Sequence, residues 1–262
     1  MNIGFWNLNN KDLIAEVKGL AFEKSLDLIV LAENFRHPIN SKDLSDPNFQ
    51  YVRLKLNSRL KIFSLVSKNT QLRILDESPY YSIIGITQCN TSFLLVVLHL
   101  PSKLWATDDD RSIPITAILE ALKLHEKNFY NRTIVLGDFN LNPFSKPMIH
   151  AGLLNTTNCK KTVSNLKRKV AGTQCSYFYN PMWKFFSKDF DGFGTYYFHG
   201  SGAVIFKWNV FDQVILRPEM LKFFDEPSLE VVTTINGIDL VLKNKNIRKS
   251  DHFPITFSLI VS

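Results

Sequence analysis

Two short stretches bring carboxylates, a carboxamide and an imidazole close together along the chain. Residues 134–140 read Ile-Val-Leu-Gly-Asp-Phe-Asn. An apolar run ends in Gly137, which permits a sharp turn, and then presents a carboxylate at Asp138 and a carboxamide at Asn140. Side chains two apart in an extended segment share a face, so both could reach one phosphate. The same residues also suit an ordinary turn. Residues 250–254 read Ser-Asp-His-Phe-Pro. The adjacent Asp251 and His252 offer a hard oxygen ligand and a titratable imidazole, although a helix or strand cap is the simpler use of such a pair.

Such groups need rigid elements behind them, and the chain alternates strand and helix patterns along its length. Residues 2–7 read as a short strand. Residues 11–26 place Leu13, Val17, Leu20 and Ala21 on one helix face. Residues 26–32 form a nearly continuous apolar run, as in a buried strand. Residues 51–66 alternate in part, with Arg53, Lys55, Arg59 and Lys61 outward, and read as one strand. Residues 82–88, 92–100, 133–136, 209–216 and 255–261 also read as strands, and residues 113–130 as a helix. Several strands end on polar residues: Trp6-Asn7, Ala32-Glu33, Leu98-His99 and Gly137-Asp138. Strands that empty onto carboxylates and imidazoles suit a sheet-based site. The mixture predicts two packed sheets with helices outside.

Taken together and in order, Trp6-Asn7, Glu33, Leu98-His99-Leu100, Gly137-Asp-Phe-Asn140, Phe211-Asp212-Gln-Val-Ile and Ser250-Asp-His252 resemble the endonuclease/exonuclease/phosphatase superfamily. The resemblance implies an α/β fold, a four-layered α/β sandwich of two packed mixed β-sheets flanked by helices. It implies one domain over residues 1–262. It assigns Asn7, Glu33 and Asp251 to a divalent metal, Mg²⁺ or Mn²⁺, with Glu33 the direct ligand. Asp138 resembles the group that orients or deprotonates the attacking water, and Asn140 and His99 resemble donors to phosphoryl oxygens. His252 resembles the imidazole that Asp212 holds by a hydrogen bond.

The residue types suit that chemistry. A phosphodiester repels hydroxide, and its transition state concentrates more negative charge on oxygen. Hard oxygen ligands bind Mg²⁺ or Mn²⁺, which neutralises charge, while imidazoles and amides donate where charge grows. The chain also departs from several subfamily patterns. Glu33 follows Ala32 where many members have Gln. The imidazole motif has His99, as in deoxyribonucleases, sphingomyelinases and inositol phosphatases, where abasic-site endonucleases usually have Tyr. The Asn-Ala-Arg and Trp-Arg segments of the latter are missing, as is the inositol-phosphatase Pro-Ser-Trp-Cys-Asp-Arg motif. No subfamily motif therefore names the substrate.

Composition bounds the rest. The 262 residues are 45% hydrophobic with 21 Phe and a net charge of +7, enough for a large core and biased towards an anionic partner. Residues 155–188 hold Lys160, Lys161, Lys167, Arg168, Lys169, Lys184 and Lys188 and no acidic residue, with aromatics interleaved. Basic groups among stacking side chains suit a nucleic acid strand, so Lys167, Arg168 and Lys169 are expected to bind substrate. An outer loop with its own aromatic core is the competing reading. Tyr196, in the stretch 192–198, could touch substrate or pack. His37, His125, His150 and His199 match no family position and read as structural or surface residues. Three widely spaced cysteines argue against a disulfide framework. No apolar run approaches the roughly 18–20 residues of a membrane span. The expectation is a soluble, cytoplasmic monomer that hydrolyses DNA or RNA. The alternatives are a phosphatase or phosphodiesterase of a small metabolite or lipid headgroup, and an inactive binding module.

Overall fold

The computed structural model describes residues 1–44, 49–57, 59–65, 70–102, 107–186, 194–198, 207–240 and 249–261. In chain order they form β1 (Asn2–Asn7), α1 (Ile14–Glu23), β2 (Leu28–Ala32), β3 (Phe49–Val52), β4 (Leu60–Leu65), β5 (Thr70–Glu77), β6 (Tyr81–Gln88) and β7 (Thr91–His99). Then come α2 (Asp108–His125), β8 (Thr133–Asp138), α3 (Lys146–Ile149), β9 (Thr156–Thr157), α4 (Lys160–Val163), β10 (Lys167–Val170), β11 (Thr173–Ser176) and β12 (Phe178–Tyr179). The last elements are β13 (Tyr196–Tyr197), β14 (Trp208–Asn209), β15 (Asp212–Leu216), β16 (Phe224–Val231), β17 (Thr234–Ile235), β18 (Ile238–Asp239) and β19 (Ile255–Leu259).

Two mixed sheets organise these elements. One runs β16-β19-β1-β2-β4-β3 and the other β5-β6-β7-β8-β15-β12-β9. The period of two decides which side chains lie between them. Ile3 and Phe5 of β1, Val97 of β7, Leu136 of β8 and Val214 of β15 share one inter-sheet core. Trp6, Ile29 and Leu31 face the other way and pack on Val17 and Leu20 of α1. Leu94, Val96 and Val135 likewise pack on Ile115, Ile118 and Leu122 of α2. Three apolar layers thus separate four structural ones, as the sequence predicts. Each fully buried aliphatic or aromatic side chain contributes about 1.5–3 kcal/mol to this packing. No helix among the described residues is long and apolar enough to cross a membrane.

Several boundaries differ from expectation for physical reasons. Residues 51–66 are not one strand: β3 and β4 are antiparallel partners, with Phe49 opposite Leu65. The long helix starts at Asp108 rather than 113, because Thr107 and Asp110 form a reciprocal capping box that satisfies free N–H groups. Pro114 sits inside that helix, although proline usually marks a first turn. The helix ends at His125 and tightens into a 3₁₀ turn over Glu126–Phe129. β16 contains Pro227 and carries a register shift between Asp225 and Glu230, which hid it from a period-two reading. Of the singled-out residues, Lys188 and His199 lie outside the described residues, as do the first two positions of the stretch 192–198.

Candidate active site

The same alternation that builds the inter-sheet core also builds the site. In β1, Ile3 and Phe5 point between the sheets, so Asn7 does too. The parity extends Val97 to His99, Leu136 to Asp138, and Val214 back to Asp212. Register then sets these residues side by side: His99 is opposite Asp138, and Asp138 opposite Asp212. Asn7 is opposite Ala32 on the facing sheet, and Glu33 follows directly. Apolar strands thus turn polar at one end of the sandwich, at the mouth of the inter-sheet gap.

Gly137 makes the close pairing of β7 and β8 possible. Its φ is 149°, and a Cβ there would lie 2.0 Å from the Leu98 carbonyl oxygen. Beyond it the chain bends sharply, with Asn140 at φ 51°. The shared extended face expected for Asp138 and Asn140 is therefore replaced by a turn. Asp138 Oδ1 accepts the Asn140 backbone N–H at 2.8 Å, and the Asn140 amide donates to the Leu100 carbonyl at 3.0 Å. Glu33 is also left-handed, at φ 49°; such backbones cost free energy and cluster where surrounding structure fixes them.

Asn7 ties the two sheets together. Its amide nitrogen donates to Glu33 Oε1 at 3.0 Å and to Asp138 Oδ2 at 3.1 Å, and its oxygen accepts the Asn9 N–H at 3.0 Å. His99 Nε2 lies 3.5 Å from Glu33 Oε1 and 3.6 Å from Asp138 Oδ2. His252 Nδ1 lies 2.9 Å from Asp212 Oδ2. Asp212 is held in turn by Thr195, whose hydroxyl oxygen accepts the Asp212 N–H at 2.9 Å. Ser250 Oγ donates to the Asn7 carbonyl at 2.8 Å, and Trp6 Nε1 to the His252 carbonyl at 2.9 Å. These bonds fix residues 250–252 against β1.

The two imidazoles have opposite proton affinities. Burial lowers His99 to about 4, against the pull of Glu33, so it is neutral at physiological pH. Burial would lower His252 as well, but the charge and hydrogen bond of Asp212, with Asp138 and Asp251 beyond, hold it at about 10. Burial pushes Asp212 up to about 6 despite the opposing His252 charge. At neutral pH the pair is thus carboxylate and imidazolium. Burial also pushes the Asp138 carboxyl up, against His252, the Asn140 N–H and the Asn7 amide.

The structure brings Asn7, Glu33, His99, Asp138, Asp212 and His252 into one cluster. Asp251 borders it: its Oδ1 accepts from Asn9 Nδ2 at 2.8 Å. Tyr196 borders it too, its ring 4.7 Å from that of His252 and 5.0 Å from that of Phe211. Burial and Asp251 push its hydroxyl up to about 12. Asn9, Asn10, Arg59 and Thr195 also flank the cluster and were missed. They are common residue types without a motif, and only the folded chain reveals Arg59 and Thr195 beside it.

Lys167, Arg168 and Lys169 are not brought to the mouth. Lys167 lies in a cavity lined also by Glu126, Asn131, Arg217 and Glu219. The Arg217 N–H donates to the carbonyl of Thr133 at 2.8 Å, which is the first residue of β8, whereas Asp138 is the last. At about 3.3 Å per residue those ends are roughly 17 Å apart. β10 and β11 form an exposed hairpin of their own. Of the interleaved aromatics, Tyr177, Tyr179 and Phe185 join the inter-sheet core. They are occupied with packing rather than offered to a nucleic acid strand.

A divalent cation fits the donor set. Glu33, His99 and Asp138 each offer a ligand atom, all within 4.8 Å of one another; Asp138, Asp212 and His252 lie as close, but there the protonated imidazole, bonded to Asp212, is no ligand. Among the described residues no Lys or Arg side chain is bonded between Glu33 and Asp138. Two carboxylates make a hard-oxygen site of the kind Mg²⁺ or Mn²⁺ prefers.

No protein-family model matches the chain, and no curated protein sequence does. Solved structures do match over nearly the whole length. A mannosyl-6-phosphatase from Bacteroides thetaiotaomicron is 15% identical, with 100% of each chain covered and a TM-score of 0.63. TDP2 of D. rerio, complexed with a single-strand DNA product, is 14% identical over 99% of this chain and 98% of its own, with a TM-score of 0.61. An endonuclease/exonuclease/phosphatase family protein from B. thetaiotaomicron is 15% identical over 99% and 97%, with a TM-score of 0.60. At such identities the likeness shows a shared fold.

Proposed function

We propose that this chain, which carries the endonuclease/exonuclease/phosphatase fold, is a divalent-metal-dependent phosphoesterase that hydrolyses phosphodiester bonds of DNA or RNA. The observation that supports it most is the convergence of Asn7, Glu33, His99, Asp138, Asp212 and His252 at one mouth of the sandwich. Glu33 would hold Mg²⁺ or Mn²⁺, with Asn7 orienting its carboxylate and Asp251 adding negative charge nearby. Once bound, the cation neutralises charge on the phosphoryl oxygens.

The protein's own groups then divide the remaining work. Asp138, whose carboxylate burial makes more basic, accepts a proton from the attacking water. His252, protonated and fixed by Asp212, donates a hydrogen bond to a phosphoryl oxygen as its charge grows. Neutral His99 can donate through Nε2 alone. The Asn140 amide, bonded to the Leu100 carbonyl, supports the turn that aims Asp138, and reaches a phosphate only if it exchanges that partner. A shared fold leaves the substrate open. The basic hairpin's position away from the mouth favours a second reading, a phosphatase or phosphodiesterase of a small phosphorylated molecule.

One panel separates these readings. The pure protein with Mg²⁺ or Mn²⁺ is incubated with supercoiled DNA, single-stranded DNA, RNA and a set of phosphomonoesters. Nuclease activity is expected; turnover confined to small esters would establish the second reading, and no turnover of any of them would refute both.

A further inference from the structure

We propose that Arg59 binds a phosphoryl oxygen of the substrate, on the His99 side of the mouth and across from His252. The inference rests on the phosphoesterase reading and deepens it.

Arg59 is anchored to both neighbours of the proposed site. Its carbonyl accepts the Glu33 N–H at 3.3 Å, and its own N–H donates to Asn57 Oδ1 at 3.2 Å. Its guanidinium lies over the Tyr80 ring, 5.0 Å from the centroid. The Tyr80 carbonyl accepts the His99 N–H at 2.9 Å. Residues that fix Glu33 and His99 therefore also fix Arg59. Backbone and ring contacts thereby keep Arg59 beside the mouth.

Its partners are equally informative. Glu33, Asp138 and Asp251 crowd this end of the sandwich, yet no carboxylate among the described residues lies within ion-pair distance of Arg59. The ring of Tyr80 supports one face of the guanidinium by a cation–π contact and leaves its edge of N–H donors for another partner. That planar fork matches two phosphoryl oxygens.

Inorganic phosphate is the probe. It is titrated by calorimetry into the Mg²⁺-supplemented wild type, Arg59→Gln and Arg59→Lys, with thermal melting to confirm that each variant is folded. Arg59→Gln is expected to weaken phosphate binding by at least about tenfold. Arg59→Lys should restore part of it, since the charge remains while the fork is lost. If Arg59→Gln does not fold, a several-fold loss in Arg59→Lys carries the test. Unchanged phosphate affinity in the folded variants overturns the assignment, and so does a wild type that binds no phosphate. A wild type that binds phosphate through Arg59 but hydrolyses no phosphoester contradicts the enzyme reading and leaves the anion site standing.

Discussion

Two histidines lie a few ångströms from the same carboxylate but differ in charge, because only one of them has a buried partner that accepts its proton. His252 has Asp212 at 2.9 Å; His99 has carboxylates no nearer than 3.5 Å and a buried Nδ1 without a partner. Titration of the metal-free protein by NMR should find His252 protonated until the pH rises to about 10. His99 should gain its proton only as the pH falls to about 4. Two ordinary titrations near 6.5 would remove the division of roles. Folding linkage has the same sign for His252. A raised folded-state value stabilises fully below about 6.5 and is lost as the pH climbs towards about 10. Replacing His252 by Ala or Asp138 by Asn should each lower turnover at least about 10²-fold with the fold intact; near wild-type rates in both would mean the site is elsewhere. Asn7, Glu33, Asp138 and His252 were legible in sequence because each follows an apolar run or a motif. The actual orientation of Asn140 was not, since it depends on a positive φ that no pattern displays.

The strands place these side chains by parity, so changes to the strand pairing should be felt at the site. A methyl group at Gly137 would meet the Leu98 carbonyl oxygen at 2.0 Å, at a φ unfavourable to alanine. Gly137→Ala should therefore destabilise the fold by about 2–4 kcal/mol and displace Asp138 from His99; chemical denaturation that gives wild-type stability would contradict the close approach. The exposed hairpin of β10 and β11 makes the opposite expectation. Changing Lys167, Arg168 and Lys169 together to Glu should leave kcat and KM for a short substrate unaltered, because Lys167 lies near the Thr133 end of β8 and the other two follow it in the same hairpin. A large rise in KM would bring the hairpin back to the site. Strands of even period and the α1 face were readable from local pattern. The charge of the basic segment is local information that sequence displays, whereas its distance from Asp138 depends on how the strands are ordered. β16 was unreadable because its proline and register shift break the alternation.

At the scale of the whole molecule, the chain joins an acidic mouth to a basic remainder. Its net charge of +7 does not reside at Glu33, Asp138, Asp212 and Asp251, and Lys167, Arg168 and Lys169 lie towards the other end. Such a mouth repels an anionic substrate until a divalent cation offsets its charge. Metal dependence is thus the common consequence of the nuclease and phosphatase readings. The most direct measurement follows phosphoester hydrolysis by the pure protein across the substrate panel, with Mg²⁺, with excess EDTA, and with Mg²⁺ restored. Turnover should vanish in EDTA, return with the metal, and fall at least about 10²-fold in His252→Ala whenever the metal is present. Full turnover in excess chelator, or an undiminished rate in His252→Ala, would contradict a hydrolytic site at this mouth.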